Sequence, residues 1–382
     1  INFMAWKRKH IEEPDRPLKI PLYKWLLTFL ILSAFLLLLF YLFRDEIIRD
    51  NVTLLILFSP LTLCLFLFCL QIYFYARAMQ NYTVIMHNIN NINTEWEKWG
   101  GRYVSVLGSK LFLPGEVDGS SLSDNQSEVM YGLAVRIDYF RWETNDWFSF
   151  FTLLIDENDI FNLPVRIAKE FIILTDCNER EYTRMEADFS RVLEEMNIML
   201  PSGSVRLVPS LLFEQLDAWL KVTEEKIYIV LVLQLNGKEN YSDGIVSFLF
   251  AADDVVKKYQ LDEKARIFRP MVVVADRFDK DLDIFIDTQK IARNATGLTG
   301  DCAGLLPVSG SILQCFNEKE GKLQVDNIHV MESLSGLPGL NSVWLTAALA
   351  VSAASYQKSD YLMMARYEDD WIITTVHPVE AS

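Results

Sequence analysis

The segment Asp301-Cys302-Ala303-Gly304 holds the residue types that a nucleophilic thiol site requires. A cysteine attacks as its thiolate, so a helix N-terminus, a cation or a histidine must first lower the pKa of the thiol. No histidine lies near Cys302 in the sequence; the four histidines are His10, His87, His329 and His377. A small buried residue is the more common role of such a cysteine, and the sequence therefore predicts a structural Cys302.

Two pairs of acidic residues are further candidates for chemistry. Asp253-Asp254 follows an apolar run, and Asp369-Asp370 lies between two others. Paired carboxylates can transfer protons or bind cations, but at helix starts and turns they more often cap backbone N–H groups or face water. We therefore expect both pairs to be structural, and His329 and His377 as well.

Known reaction motifs are absent from the sequence. It has no glycine-rich dinucleotide loop, no phosphate-binding loop, no His-Glu-x-x-His and no Gly-x-Ser-x-Gly. The five cysteines show no metal-ligand spacing. The sequence thus predicts no catalytic, cofactor-binding or metal-ligating residue and no cofactor, and it indicates a protein that is not an enzyme.

The segments that would position any site begin after residue 100, where apolar runs alternate with amphipathic ones. The predicted strands are 103–112, 129–137, 147–155, 171–175, 205–208, 226–235, 243–252, 271–275, a segment around Gln314, 361–366 and 371–376, and the predicted helices are 179–199, 210–224, 280–294 and 341–356. Strands that alternate with helices are typical of a layered α/β domain. We expect this domain over residues 100–382, as one body or as two halves, 100–224 and 225–382.

Two long apolar runs precede this domain. Residues 25–43 and 52–70 are 19 residues each and contain no charge. A helix rises about 1.5 Å per residue, so each run is long enough for the roughly 30 Å of a bilayer core. The connector 44–51 is short and makes the two helices antiparallel neighbours. The sequence predicts a basic tail at 1–24, a transmembrane hairpin at 25–70 and a juxtamembrane helix at 71–99.

Basic residues orient the hairpin. The connector has Arg44 and Arg49 beside three acids, whereas the tail has Lys7, Arg8, Lys9, Arg16, Lys19 and Lys24. Short loops rich in Lys and Arg stay in the cytoplasm. We therefore expect a multi-pass protein of the bacterial inner membrane with both termini in the cytoplasm.

The net charge restricts the partners. The whole chain has a net charge of −15, and residues 77–382 carry 28 basic and 45 acidic side chains. Such an acid excess repels nucleic acid phosphates. We expect the lipid bilayer and other proteins as partners, and no nucleic acid.

The C-terminal part resembles a known fold. SLSGLPGLNSVWLTAALAVSAASY, residues 333–356, puts a glycine-bearing loop before a small-residue helix, and SDGIVSFLF precedes it at 242–250. Over roughly residues 225–380 this resembles the C-terminal half of the thiolase-like fold of ketoacyl synthases. The resemblance implies a catalytic histidine at the front of the loop and a catalytic cysteine motif. Here the loop front is Ser333–Ser335 and no cysteine motif is recognisable, which implies a degenerate fold that has lost its active site.

The layout of the chain resembles a second group. A two-helix anchor, the segment EWEKWGGRYVSVLGSKLFLPGE and an α/β domain are similar to accessory inner-membrane proteins encoded with bacterial type VI secretion systems. This resemblance implies a membrane-anchored accessory or scaffold protein that docks other membrane-associated proteins of a secretion apparatus. Two alternatives are an acyl- or lipid-acting enzyme of thiolase-like fold and a membrane-resident toxin-immunity or effector-adaptor protein.

The predicted topology can be tested with fusions to a reporter that is active only in the periplasm. We expect a fusion after Ser382 to be inactive, because the second helix returns the chain to the cytoplasm. A fusion in the connector should be active and is the control. Strong activity of the C-terminal fusion would show that the α/β domain lies outside.

Overall fold

The chain forms two compact units. The computed structural model describes residues 6, 8, 11, 13–42, 51–123, 129–138, 146–155, 163–164, 166–198, 203–221 and 225–379. One unit comprises Lys9–Glu95 and is called the helical unit; the other, the globular unit, comprises Ile1–Arg8 and Trp96–Ser382.

The helical unit is built on two long helices, α1 (Leu22–Leu42) and α2 (Asn51–Gly100). Trp25 at the start of α1 contacts Phe68 and donates a hydrogen bond to Gln71 of α2, so the two helices run antiparallel. Both are long and apolar enough to cross a membrane, and few of their described apolar side chains are buried. Such exposure fits lipid contact better than a globular core. The predicted connector lies, apart from Asn51, outside the described residues.

The globular unit contains one mixed sheet with helices around it. The described strands are β1 (Tyr103–Phe112), β2 (Ala168–Thr175), β3 (Val205–Val208), β4 (Lys226–Gln234), β5 (Gly244–Ala252), β6 (Ala265–Phe268), β7 (Met271–Val273), β8 (Gly297–Gly300), β9 (Ile328–Val330), β10 (Tyr361–Tyr367) and β11 (Asp370–Pro378). The described helices are α3 (Trp147–Leu154), α4 (Glu179–Glu195), α5 (Gln215–Trp219), α6 (Asp253–Tyr259), α7 (Phe278–Thr288), α8 (Ser309–Glu318), α9 (Met331–Ser335) and α10 (Ser342–Gln357).

The sheet is an internal duplication. Its strand order is β3-β2-β4-β5-β1-β6-β11-β10-β8-β9, with β7 paired to β11. Each half is counted from its outer edge, as β3-β2-β4-β5-β1 and as β9-β8-β10-β11-β6. In both, the first three strands are parallel to one another and the last two pair antiparallel. Antiparallel pairing of β1 with β6 joins the halves. The repeat divides between Ala252 and Ala265, later than the expected division at residue 224, because β4 and β5 pair with strands of the first half.

Helix α10 lies at the centre, between the two halves. It contacts β1 and β5 of the first half and β6, β8, β10 and β11 of the second. Strand side chains alternate between this centre and an outer layer: Val230 packs towards α10 while Leu231 packs in the outer cluster with α3 and α4. In the second half, Met363 faces the centre and Met364 faces the outer cluster with α7 and α8. The predicted layered α/β architecture is therefore confirmed.

The end of α2 is built into the globular unit. The Arg269 guanidinium lies 4.0 Å from the Trp99 ring centroid, and Gln289 Nε2 donates to the Gly100 carbonyl at 3.0 Å. Trp6, only 6% exposed, packs against the Trp99 ring with 5.2 Å between the ring centroids. Aromatic burial and a cation–π contact thus join the N-terminal residues and the end of α2 to this unit.

Three predicted strands are wrong. Residues 147–154 form α3, because Asp146 caps the helix by accepting from Ser149 N at 3.1 Å and the aromatic run is buried on several sides. The segment around Gln314 lies in α8, whose apolar residues follow the helical period. Residues 129–137 pair with no strand; side chains of Ser242 and Asp243 bond their backbone instead.

The close packing of the first half against α10 can be tested at Gly119. A Cβ at this position would lie 2.3 Å from the Ser352 carbonyl carbon, so backbone atoms would have to move. We expect Gly119→Ala to destabilise the globular unit by about 1–3 kcal/mol, measured by denaturant unfolding. Gly310→Ala is the control, because a Cβ there meets open space and α8 should tolerate alanine. Equal stability of the two variants would contradict this packing.

Candidate functional site

Asp301 follows β8 directly and is almost completely buried, with 1% of its surface exposed. Its Oδ2 accepts hydrogen bonds from Arg366 N at 2.9 Å and from Ser342 Oγ at 3.1 Å. Its Oδ1 is also buried and makes no hydrogen bond of ordinary geometry within the described residues, although the Cys302 thiol and N–H interact with the carboxyl and act to lower its pKa. Burial raises the pKa of the Asp301 carboxyl, since the charged form loses its hydration. A carboxyl with a raised pKa is a stronger base than an exposed aspartate, so it is a candidate for proton transfer.

Cys302 stands beside this carboxyl and is half-buried. Burial, and next the charge of Asp301, raise the pKa of the thiol to about 12. The thiol therefore keeps its proton at neutral pH unless a base removes it. The structure does not supply the histidine that sequence reasoning looked for, but it supplies a carboxylate.

The duplication provides an internal comparison for this pair. Asp176-Cys177 follows β2 as Asp301-Cys302 follows β8, and β2 and β8 are equivalent strands of the repeat. The Asp176 carboxylate accepts from Leu235 N, Asn236 N and the Tyr241 hydroxyl, at 2.8 to 3.0 Å. Both oxygens of Asp176 are thus bonded, whereas Oδ1 of Asp301 makes no hydrogen bond of ordinary geometry within the described residues. The Asp176 carboxylate is therefore occupied by structural hydrogen bonds at the end of β2, whereas the Asp301 carboxyl can still accept a proton.

Glu332 on α9 holds the backbone around Cys302. Its Oε2 accepts from Ala303 N at 2.7 Å, and its Oε1 accepts from Gly132 N at 3.2 Å. Met130 N also donates to the Ser333 carbonyl at 2.9 Å. These bonds hold the segment 129–138 against the loop that carries Cys302.

The start of α10 brings the two halves together. Gln234, at the end of β4, accepts from Asn341 N at 3.0 Å and donates to the Ser242 carbonyl at 2.8 Å. A Cβ on Gly339 would lie 2.4 Å from the Gln234 side chain, so the loop needs glycine there. Since Ser342 bonds Asp301, groups from both halves meet at this helix end. We call Asp301, Cys302, Glu332, Asn341 and Ser342 the polar cluster.

Exposed apolar side chains lie on the segments that carry the polar cluster or are hydrogen-bonded to it. Leu340 is 79% exposed and directly precedes Asn341, and Leu306 follows Cys302 by four residues. Three more lie on the segment 129–138, which is hydrogen-bonded to Glu332. A further one, Leu212, follows Leu211, whose carbonyl accepts a hydrogen bond from Trp344 Nε1 of α10. We call this set the apolar rim; it comprises Val129, Tyr131, Leu133, Leu212, Leu306 and Leu340. Exposed apolar side chains grouped in this way are typical of binding surfaces.

The acidic pairs lie apart from the polar cluster and have structural partners. Asp253 and Asp254 bind Arg102 at 2.9 and 3.1 Å. Asp370, in the hairpin between β10 and β11, accepts from Ala275 N at 3.0 Å. Asp253 and Asp254 thus form ion pairs, and Asp370 stabilises the backbone at Ala275.

The two candidate histidines lie at different places. His377 contacts Asp360 at 2.5 Å, at the opposite end of β8 and β10 from Asp301. His329 on β9 pairs with Thr299, two residues before Asp301. Burial lowers the pKa of His329, and within the described residues its Nε2 has no hydrogen-bond partner. Burial thus disfavours the charged form of His329, which lies on the strand next to β8.

The loop front suggested by the resemblance is placed differently. Ser333–Ser335 lie within α9, and Asn341 directly precedes α10. Sequence reasoning missed Glu332 and Ser342, whose roles depend on contacts distant in sequence. The repeated Asp-Cys dipeptide after two apolar strands was a signal that could have directed attention to Asp301. Within the described residues, no group of three or more His, Cys, Asp or Glu side chains could hold a metal ion.

Comparisons with known proteins identify the fold. No family model matches the sequence, and no curated protein matches it. The globular unit is similar to the ketosynthase from module 1 of the bacillaene synthase of Bacillus amyloliquefaciens, with 10% identity, a TM-score of 0.50, and 74% of this chain and 77% of that chain covered. An oxazolomycin ketosynthase domain from Streptomyces albus gives 10% identity and a TM-score of 0.48, over 73% of this chain and 96% of that one. The 3-oxoacyl-[acyl-carrier-protein] synthase III of Aquifex aeolicus gives 9% identity and a TM-score of 0.40, over 72% of this chain and 99% of that one.

This likeness supports the thiolase-like resemblance and extends it to both halves of the sheet. The expectation that the protein is not an enzyme is contradicted, because the ketosynthase of the bacillaene synthase shares its fold. The matches give no support to the link with type VI secretion. The globular unit has a mixed α/β, thiolase-like fold.

The burial of Asp301 predicts a pH-dependent effect of Asp301→Asn. The folded-state pKa of Asp301 lies above that of the unfolded chain, so ionisation of this side chain destabilises the fold as pH rises through that range. We expect Asp301→Asn to gain stability relative to the natural protein as pH rises above about 4, the pKa of an unfolded aspartate. Thermal unfolding of both proteins in mild detergent measures the difference. A difference that is constant with pH would contradict the raised pKa.

Proposed function

We propose that the globular unit is a thiolase-like enzyme that acts on acyl groups, with its reaction at Asp301 and Cys302. The observation that carries this proposal is the free, buried Oδ1 of Asp301 beside the Cys302 thiol. A nucleophile next to a base, with the base oriented by a third group, is the usual arrangement of covalent catalysis. Here Ser342 Oγ and Arg366 N orient the base.

The proposed reaction is transfer of an acyl group from a thioester to Cys302. The thiol proton moves to Asp301, and the sulfur attacks the acyl carbonyl carbon. The carbon–sulfur bond of the thioester breaks, and the leaving thiolate takes the proton from Asp301. The products are an acylated Cys302 and a free thiol. The raised pKa of Asp301 assists the first step, because it makes the carboxylate a stronger base than an exposed aspartate.

The apolar rim supports an acyl substrate. An acyl chain has no polar groups beyond its carbonyl, so it binds where apolar side chains surround a few polar atoms. Val129, Leu133 and Leu340 are each more than half exposed and stand beside such atoms. Covering them with a chain would remove apolar surface from water, at about 25 cal/mol per Å².

The proposal also includes the location of the protein at a membrane. The two exposed apolar helices of the helical unit would hold the enzyme at a membrane. The bacterial inner membrane, the cytoplasmic side and the docking of other membrane-associated proteins stay predictions. An enzyme held in this way would meet acyl substrates that reside in or near the lipid.

The proposal can be tested with model thioesters. The full chain in mild detergent is incubated with acyl N-acetylcysteamine thioesters of increasing chain length, and acylated protein is detected by intact mass. We expect an adduct that maps to Cys302, and its formation should slow by about a hundredfold in Asp301→Asn, since the base is lost. Longer chains should react faster than acetyl because they contact the apolar rim.

Cys177→Ser is the matched control for Cys302→Ser. Both cysteines are half-buried, follow an aspartate and have raised pKa values, of about 11 and about 12. Loss of the adduct in Cys302→Ser alone would support the proposal. Adducts that persist in Cys302→Ser, or no adduct at any chain length, would contradict it.

A further inference from the structure

A second site lies at the opposite end of β8 and β10. An open cavity of about 1150 Å³ is formed there by the starts of β6, β8 and β10 and the ends of α10 and β11. Asp301 follows the end of β8, whereas Thr296 and Asp360, which line the cavity, precede β8 and β10. Since β8 and β10 are parallel, the cavity and the polar cluster are separated by the length of these strands. The cavity is therefore distinct from the proposed acyl site.

The cavity collects positive charge in a strongly acidic chain. Its charged lining consists of Lys264, Arg266, Lys322, Lys358, Glu263 and Asp360, together with His377. The chain as a whole has 51 acidic and 36 basic residues, so an excess of cations in one cavity runs against its composition. Such a local excess attracts anions even when the whole protein is negative.

The acids of the cavity already have partners. Glu263 accepts from Arg266 Nε at 2.8 Å, and Asp360 contacts His377 Nδ1 at 2.5 Å. Lys322 and Lys358 form no ion pair within the part of the chain that the structure describes, and both are exposed to the cavity. Two ammonium groups are therefore available to a ligand without the loss of an internal ion pair.

The floor of the cavity is a hydrogen-bonded frame. Thr296 N donates to the Asp360 carbonyl at 2.9 Å, and Thr296 Oγ1 donates to Ser359 Oγ at 2.9 Å. Lys358 has a left-handed backbone with φ of 52°, and its N–H bonds the Ala354 carbonyl at the end of α10. This bond satisfies one helix-end carbonyl that would otherwise repel an anion. The frame fixes the backbone that carries Lys358, so the site is formed before a ligand enters.

We propose that this cavity binds a phosphate-bearing anion, held by Lys322 and Lys358. Lysine binds phosphate as a compact charge with several donor hydrogens, and serine and asparagine side chains at the cavity supply further hydrogen-bond donors. Its volume admits a ligand larger than one phosphate. The phosphate belongs either to a soluble molecule or to a lipid headgroup. The proposal does not depend on the acyl reaction.

Calorimetric titration of the full chain in mild detergent tests the site. The probes are inorganic pyrophosphate and dihexanoyl phosphatidic acid, the latter below its micelle concentration. We expect saturable binding of at least one probe, and binding of the lipid alone would identify a headgroup as the source. The double variant Lys322→Ala/Lys358→Ala should weaken binding by at least about tenfold, because two charged hydrogen bonds are lost.

Lys238→Ala/Lys280→Ala is the matched control. It removes the same net charge from exposed lysines outside the cavity, and it should keep the dissociation constant within about twofold. Thermal unfolding checks that both double variants remain folded, since substitutions of exposed residues usually change stability little. Absence of binding by both probes, or equal weakening by both double variants, would overturn the proposal.

Discussion

The structure of the globular unit depends on the burial of helix α10 between the two halves of the sheet. A helix covered on all sides must be apolar all round, and it must have small side chains where the two halves of the sheet approach it. Its sequence meets both conditions, with the fully buried Ala347, Ala348, Ala350, Ala353 and Ala354 along its length. The large Trp344 lies near its start, where its indole packs against Phe213 and donates to the Leu211 carbonyl at 2.8 Å. This arrangement joins the duplicated halves into one core.

The same burial creates the polar cluster. A helix that begins inside the protein leaves backbone and side-chain groups that water cannot reach, and other groups must satisfy them. Gln234 meets Asn341 N, and Asp301 meets the Ser342 hydroxyl. The proposed chemistry thus uses groups that the packing already requires. What distinguishes Asp301 from its counterpart Asp176 is one unbonded oxygen, a small difference within a repeated frame.

The fold is that of ketosynthases, yet the identity to them is about 10% and no family model matches. Layered packing explains how sequences with so little identity can form the same fold. A core accepts many apolar sequences when alternation and volume are kept, so strands such as β4 and β10 keep the fold without keeping the residues. Catalytic groups have no such tolerance, because they act by geometry. In the proposed reaction, the aspartate and cysteine that follow β8 would take the place of the histidine that the resemblance implied.

The sequence by itself determined what depends on local pattern. Bilayer-length apolar runs, the apolar strands β1, β4 and β5, and the small-residue helix α10 were all predictable, because apolar periodicity is a property of adjacent residues. The structure of 147–154 was not, since a run of buried aromatic residues does not distinguish strand from helix. Only the tertiary structure decided the duplication, the proximity of Glu332 to Cys302 and the free oxygen of Asp301. These depend on groups far apart in the chain that meet only when α10 is buried.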